Sequence, residues 1–326
     1  MKNIAVFGVG HLGYIHCQCI LSMKDANLIG IYDIDTERCN QVAKELDLTA
    51  FSTPEALLQV CDVADIVTTT SEHYDMAKMA IMAGKHTFIE KPVVVDFAHA
   101  EELITLSKEM GVKVQVGHVE RFNPAFVAAR PLIHNPMFIE AHRLANFNPR
   151  GNDVSVVMDL MIHDIDLILN VVNSTIVDIQ ASGVAVVTDS FDIANVRLRF
   201  ENGCVANLTA SRISLKNMRK IRFFQPNAYI SVDLLKKETD IIKLDNVIDE
   251  DNNPFALILD LGNGKGKKQL TIQKSDIIIT NAIQTELESF LSCIENNTSP
   301  SVTLIDGYKA LKTAIDILKK INKYAK

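Results

Sequence analysis

Residues 1–13 read Met1-Lys2-Asn3-Ile4-Ala5-Val6-Phe7-Gly8-Val9-Gly10-His11-Leu12-Gly13. An apolar, strand-like run empties into Gly-x-Gly-x-x-Gly, the pattern by which a strand turns tightly into a helix around a phosphate. Gly8 makes the turn, Gly10 lets backbone approach a pyrophosphate, and Gly13 lets the helix pack close to the strand. The N–H groups at the helix start then face the anion. A second apolar run, Leu28-Ile29-Gly30-Ile31-Tyr32, ends at Asp33, twenty positions after Gly13, where a carboxylate accepts hydrogen bonds from the adenosine ribose hydroxyls. Ile34 and Asp35 follow, so carboxylates stand where a 2′-phosphate would sit, which predicts NAD(H) over NADP(H). Arg38 is the counter-signal, a cation able to turn toward such a phosphate.

Outward from this stretch, short apolar runs alternate with amphipathic ones as far as about residue 116, the βαβ signature of a doubly wound parallel sheet. Strands are predicted at 4–8, 28–33, 66–69, 87–90 and 113–117, with helices at 37–46, 54–59, 74–82 and 97–110. After about residue 120 the texture changes: a helix at 154–171 precedes strands at 176–187, 194–200, 204–213, 219–224 and 228–234, several separated by turn residues such as Asn202-Gly203 and Pro226-Asn227. Consecutive strands joined by tight turns imply a mostly antiparallel, open sheet. Helices at 282–296 and 306–324 close the chain. The expected organisation is an α/β Rossmann domain over 1–120, then an α+β domain over 121–326 for substrate binding and oligomerisation, with the active site between them.

Composition narrows the class. A chain of 326 residues is long enough for about two domains. A net charge of −7, with no concentrated basic face, argues against nucleic acid or an anionic membrane as partner. No apolar run reaches membrane-spanning length, and the first residues lack a secretory signal pattern, so a cytoplasmic protein is expected. The six cysteines, Cys17, Cys19, Cys39, Cys61, Cys204 and Cys293, sit in apolar surroundings and read as small core residues. Cys17 and Cys19 point to nearly opposite sides of one helix, so no metal site is expected there.

Two further constellations carry chemistry. The first runs Thr68-Thr69-Thr70-Ser71-Glu72-His73 and continues, one helix and one strand later, into Glu90-Lys91-Pro92. The second is Asp159-Leu160-Met161-Ile162-His163-Asp164-Ile165-Asp166. On a helix Asp159, His163 and Asp166 share one face, while Met158, Ile162, Ile165, Leu169 and Val172 form an apolar stripe. The plain alternative is a solvated polar face whose histidine is incidental.

Together these elements resemble the glucose-fructose oxidoreductase / inositol dehydrogenase family of nicotinamide-dependent enzymes. The resemblance covers essentially the whole chain, and Glu90-Lys91-Pro92 is its most specific part. It implies that Lys91, Asp159 and His163 form the catalytic group, that the Lys91–Pro92 bond is cis, and that the protein is a homodimer or homotetramer joined through the open sheet. The expected cofactor contacts are Gly8, Gly10, His11, Leu12, Gly13, Asp33, Arg38, Thr69, Thr70, His73, Glu90 and Lys91. The chemistry suits hydride transfer from a secondary alcohol: histidine takes the hydroxyl proton near neutral pH, Asp159 orients it, and the Lys91 ammonium stabilises alkoxide character. The segment Gly117-His118-Val119-Glu120-Arg121-Phe122-Asn123-Pro124 looks most like members that oxidise the 3-hydroxyl of UDP-N-acetyl sugars. Arg121, Asn123, Arg150 and Asp166 are the expected substrate contacts, the two arginines clamping a diphosphate, although Arg121 could equally brace a turn. One departure is Gly151-Asn152-Asp153-Val154, where many members carry a glycine-rich stretch.

Three alternatives stay open. A free sugar or polyol could be the substrate. The scaffold could serve as a non-catalytic nucleotide sensor. Tyr74-Asp75-Met76-Ala77-Lys78 fits the Tyr-x-x-x-Lys pair of short-chain dehydrogenases, though the glycine spacing here is not theirs.

Overall fold

The computed structural model describes residues 1–148, 154–247, 257–263 and 266–324. They form two units, Met1–Phe122 with Asn281–Lys312, and Asn123–Thr280 with Thr313–Lys326.

The first unit is built from β1 (Lys2–Phe7), α1 (His11–Ser22), β2 (Ala26–Tyr32), α2 (Thr36–Leu46), α3 (Pro54–Val60), β3 (Val63–Ile66), α4 (His73–Met82), β4 (His86–Glu90), α5 (Phe97–Glu109) and β5 (Val114–Gly117). The strands form a parallel sheet in the order β2-β1-β3-β4-β5. β1, β3 and β5 are buried almost throughout because helices cover both faces, which is why they read as apolar runs without alternation. Helix starts follow the capping rule: Asp35, Thr53 and Asp96 each accept a backbone N–H of the first turn that the helix itself leaves unpaired. β3 lies three residues earlier than predicted, at Val63–Ile66 rather than 66–69. The acidic Asp65 made the segment look like loop, yet its side chain is wholly buried.

In the second unit α6 (Pro124–Ala129) leads into β6 (Phe138–Leu144), a π-helical turn (Val157–Met161) and α7 (Ile162–Val171). Strands β7 (Ile176–Val184), β8 (Ile193–Phe200), β9 (Val205–Ser211), β10 (Met218–Gln225), β11 (Ala228–Asp233), β12 (Glu238–Asn246), β13 (Leu257–Asp260) and β14 (Lys267–Lys274) follow. Among the described residues the sheet order is β13-β14-β12-β11-β10-β6-β9-β8-β7, antiparallel except for the parallel pair β6–β9. Strict alternation puts Ile139, Ala141, Val196, Leu198, Ala206, Leu208, Ile221, Phe223 and Ile230 on one buried face. α6 packs on that sheet at β11 and β12, and α7 at β6.

The chain ends in α8 (Ala282–Glu295) and α9 (Leu304–Tyr324). Here the expected division fails: residues after 120 do not all belong to the second unit, because Asn281–Lys312 returns to the first. The reason is burial. Leu287, Phe290, Leu291 and Cys293 on one face of α8 fill the core that holds Ile4, Val6, Ile20 and Phe88, with the Phe88 and Phe290 rings 6.1 Å apart. Among the described residues no helix is long and apolar enough to cross a membrane.

Candidate active site

The turn between β1 and α1 makes a cradle. Gly8 has φ +91°, and a Cβ there would lie 2.7 Å from the Thr68 backbone; a Cβ on Gly13 would collide with the Gly8 carbonyl. At Gly10 a Cβ would meet nothing within 4 Å, so the backbone borders open space at the start of α1. A cleft of about 300 Å³ opens there, lined by Gly8, Gly10, His11, Leu12, Asp33 and Thr69, together with Tyr32, Ile34, Val67, Thr68 and Met76. The Asp33 carboxylate accepts Val9 N–H at 2.6 Å and Asp35 N–H at 2.9 Å, which fixes it at the rim. These features fit NAD: an open glycine backbone for the pyrophosphate, a held carboxylate for the ribose and an apolar wall for the adenine. Met76 and Val67 were missed in the sequence because they look like ordinary core residues until the fold turns them to the cleft.

Other expected cofactor residues are spent elsewhere. Arg38 donates from Nε to the Val9 carbonyl at 3.1 Å and lies 5.7 Å from the Tyr14 ring centroid, so it clamps the glycine turn. Thr70 starts a short 3₁₀ turn, Thr70–Glu72, and lies outside the cleft lining. His73 is buried, with Nδ1 2.9 Å from the Pro92 carbonyl oxygen and Nε2 3.1 Å from that of Thr68. Burial lowers its pKa, the two carbonyls opposing. His73 is therefore a tie between two loops.

Lys91 begins the loop after β4, and its bond to Pro92 is cis. Glu90 is buried and accepts the Lys91 N–H on Oε2 at 2.9 Å. It is not among the residues that line the cleft. Its Oε1 lies 3.4 Å from His16 Nε2, and His16 Nδ1 lies 2.9 Å from Asp65 Oδ2. Burial acts to lower the His16 pKa, but Asp65 and Glu90 outweigh it and raise the value well above the ordinary one, while burial raises that of Asp65. Glu90 is held below the usual carboxylate range, its burial outweighed by His16 and the Lys91 N–H. The alternative Tyr74/Lys78 pair is no catalytic dyad here. Both groups bind Glu102, the tyrosine at 2.6 Å and the lysine at 2.8 Å, on the surface between α4 and α5.

In the second unit the Asp159–His163 pair falls across the junction of the π-helical turn and α7, not on one regular α-helix from residue 154. Both side chains are half-buried. The solvated-face alternative fails for the rest of this segment, since Asp164 and Asp166 are buried. Asp164 receives Arg143 in bidentate fashion, Nη2 to Oδ1 at 2.8 Å and Nε to Oδ2 at 3.0 Å. Sequence reasoning missed this pair because Arg143 sits at an inward position of β6, a strand whose central residues Glu-Ala-His-Arg carry no apolar alternation.

The expected substrate contacts fare less well. Arg121 Nη1 donates to the Ser301 carbonyl at 3.2 Å and faces Asp306 Oδ2 at 3.5 Å, so it braces its own unit. Asn123 is buried, caps α6 by accepting Ala125 N–H, and donates to the Leu234 carbonyl at 2.9 Å. Arg150, with Gly151, Asn152 and Asp153, lies outside the described residues.

Comparison with known proteins follows the same division. Residues 2–118 match the model of an oxidoreductase family described as an NAD-binding Rossmann fold, and residues 130–228 match the GFO/IDH/MocA C-terminal domain. A UDP-N-acetylglucosamine 3-dehydrogenase from Acidithiobacillus ferrooxidans is 36% identical over 314 residues, spanning 96% of this chain and 95% of the relative. A scyllo-inositol 2-dehydrogenase (NAD(+)) from Bacillus subtilis is 27% identical over 95% of this chain and 91% of its own. A solved structure of the Acidithiobacillus enzyme superposes with a TM-score of 0.88 at 34% identity, covering 99% of this chain and 98% of that one. The scyllo-inositol dehydrogenase of Lactobacillus casei, solved with bound NAD(H) and scyllo-inositol, shares the fold at 19% identity, with a TM-score of 0.77 and 99% and 97% coverage. The chain belongs to the GFO/IDH/MocA oxidoreductase family, with the NAD-binding Rossmann fold of that family as its amino-terminal part.

Proposed function

We propose that this protein oxidises the 3-hydroxyl of a UDP-N-acetyl-hexosamine, or reduces the corresponding ketone, using NAD(H). One observation carries the choice of substrate: 36% identity to the UDP-N-acetylglucosamine 3-dehydrogenase over nearly the full length of both chains, against 27% to the scyllo-inositol enzyme.

NAD, when bound, accepts the hydride. The chain's own residues do the rest. His163 takes the hydroxyl proton on its imidazole, whose ordinary pKa is near the working pH. Asp159, four residues before it, orients the ring. The Lys91 ammonium stabilises negative charge on the substrate oxygen as the proton leaves, and polarises the carbonyl in the reverse direction. Asp166 contributes to the substrate pocket. Arg150 supplies cationic character for the diphosphate; Arg121 and Asn123, already engaged, shape the surroundings.

The test is NADH formation with UDP-N-acetylglucosamine and UDP-N-acetylgalactosamine beside myo-inositol, scyllo-inositol and glucose, with the position of oxidation read from the product. Efficient turnover of the free polyols, with no turnover or thermal protection by UDP-sugars, overturns the nucleotide-sugar reading in favour of a polyol dehydrogenase. Binding of NADH without turnover of any candidate moves it to a sensor.

We also read the protein as a cytoplasmic homodimer or homotetramer associating through the second sheet. The burial of all six free cysteines supports a reducing compartment. A shallow polar cleft of about 580 Å³ on that sheet, lined by Glu140, His142, Gln180, Asn195, Arg197 and Asn207, supports the surface. Sedimentation analysis tests the assembly.

A further inference from the structure

The Asp65–His16–Glu90 cluster stands apart from the groups assigned to the chemistry, and it is costly. Three ionisable side chains from α1, β3 and β4 lie in a dry interior, His16 and Asp65 wholly buried and Glu90 only 6% exposed. Glu90 Oε2 accepts the Lys91 N–H at 2.9 Å while Oε1 lies 3.4 Å from His16 Nε2, an ion-pair contact without a hydrogen bond, so the carboxylate stands between the imidazole and the backbone of the lysine loop. Gly117, paired with Glu90 across β4 and β5, leaves the room: a Cβ there would lie 2.7 Å from Glu90 Oε1. The Phe88 ring meets the imidazole edge-on with centroids 5.8 Å apart, closing a further side.

We propose that His16 is a positioning residue for Lys91: held by Asp65, it fixes the Glu90 carboxylate, which in turn fixes the Lys91 backbone and so the direction of its ammonium group. The charged and titratable groups around the imidazole are Asp65 from β3, Glu90 from β4 and Cys19 on its own helix, with His73 from α4 facing Glu90 from the other side. Because α1 also begins at the glycine turn, one side chain ties the cofactor cradle to the lysine. The inference rests on the assignment of Lys91 to the chemistry, and the first arm of its test does not.

That first arm needs no substrate. In protein labelled with ¹⁵N-lysine, the Lys91 amide hydrogen-bonded to a carboxylate resonates far downfield; Glu90→Gln moves it upfield, and His16→Leu moves it in the same direction although His16 does not touch Lys91. An amide unmoved in His16→Leu overturns the proposal. The second arm is kinetic: His16→Leu lowers kcat on the order of ten- to a hundredfold, the scale of a misplaced catalytic group, while the Kd for NADH stays within about twofold. His16→Gln, which keeps a donor toward Glu90, recovers part of the rate. Should His16→Leu fail to fold, Gly117→Ala displaces the Glu90 carboxylate without removing any charge and shifts the same amide and the same kcat. A fall in kcat that merely tracks melting temperature across these variants, with no amide shift, also overturns it. Wild type without turnover on any sugar defeats the functional reading alone, and the amide arm still decides this one.

Discussion

In the second unit, the helix that carries His163 is held by Arg143 on Asp164, a guanidinium meeting a carboxylate through two aligned bonds of 2.8 and 3.0 Å. In the first, the loop that carries Lys91 follows Glu90, whose carboxylate and that of Asp65 lie at the two nitrogens of the buried His16 ring, and among the described residues Asp65 Oδ1 and His16 Nε2 are without a hydrogen bond. Arginine stays charged at any pH a protein survives, so the first kind of support has no alkaline limit. Histidine titrates, so the second kind has a pH limit. A buried ion pair adds little net stability over an apolar pair of the same shape, but a buried charge left alone is severely destabilising. What these clusters provide is direction: each fixes the backbone beside one residue proposed for the chemistry, Lys91 or His163.

Breaking the arginine pair has the largest expected effect. Asp164→Ala takes from the buried Arg143 guanidinium its bidentate carboxylate and destabilises the protein by about 3–5 kcal/mol in urea unfolding, whereas Arg143→Met with Asp164→Leu recovers most of that loss. Equal loss in the single and double variants would show that the pair is not the issue.

Next come the side chains proposed for the chemistry. Lys91→Met and His163→Ala each lower turnover on the order of a hundredfold or more, about 2.7 kcal/mol of barrier, with NADH affinity nearly unchanged. Wild-type turnover in either variant removes that residue from the mechanism.

The pH limit separates the two supports. The folded-state pKa of His16 is raised well above 6.5, so its contribution is complete below that value and is lost as pH rises through the folded value. The stability gap between wild type and His16→Leu therefore narrows on the alkaline side, while the gap for Asp164→Ala stays flat from neutral to alkaline pH. Asp192 gives the acid counterpart. Burial acts to raise its pKa, but the N–H groups of Val187, Val186 and Thr188 and the Thr188 hydroxyl outweigh that and hold it at about 2. Being depressed, it stabilises above about 3.8 and loses that contribution as pH falls toward 2. Asp192→Asn should match wild type at pH 2 and fall behind it at pH 5.

The smallest effect concerns the cofactor. With Asp33 pinned at the rim by two N–H groups and Arg38 occupied by the Val9 carbonyl, NADH binds more tightly than NADPH. Asp33→Ser narrows that preference, read by fluorescence titration; comparable affinities in wild type would overturn it.

Much of the first unit was legible because its signals are local. A glycine turn after a buried strand, and a capping acid before each amphipathic run, are patterns within a few residues of sequence. Lys91, Asp159 and His163 stood out for the same reason, as residues inside short motifs. The sequence was silent wherever function depends on a partner far along the chain. Asp65 fell outside the predicted strand because its partner, His16, is forty-nine residues away; β6 went unpredicted because its inward Arg143 pairs with Asp164 on a later helix. Arg121, read either as a ligand contact or as a brace, and Asn123, read as a ligand contact, bond to the distant Ser301 and Leu234 carbonyls.

The chain's own order of residues thus determined the family and the cofactor class, since strand, turn and helix propensities and short motifs act over a few positions. Tertiary structure decided which charges are buried, which of them are paired, and that α8 completes the first core. Burial and long-range pairing depend on segments brought together only when the chain folds, and no periodicity within one segment encodes the identity of its distant neighbour.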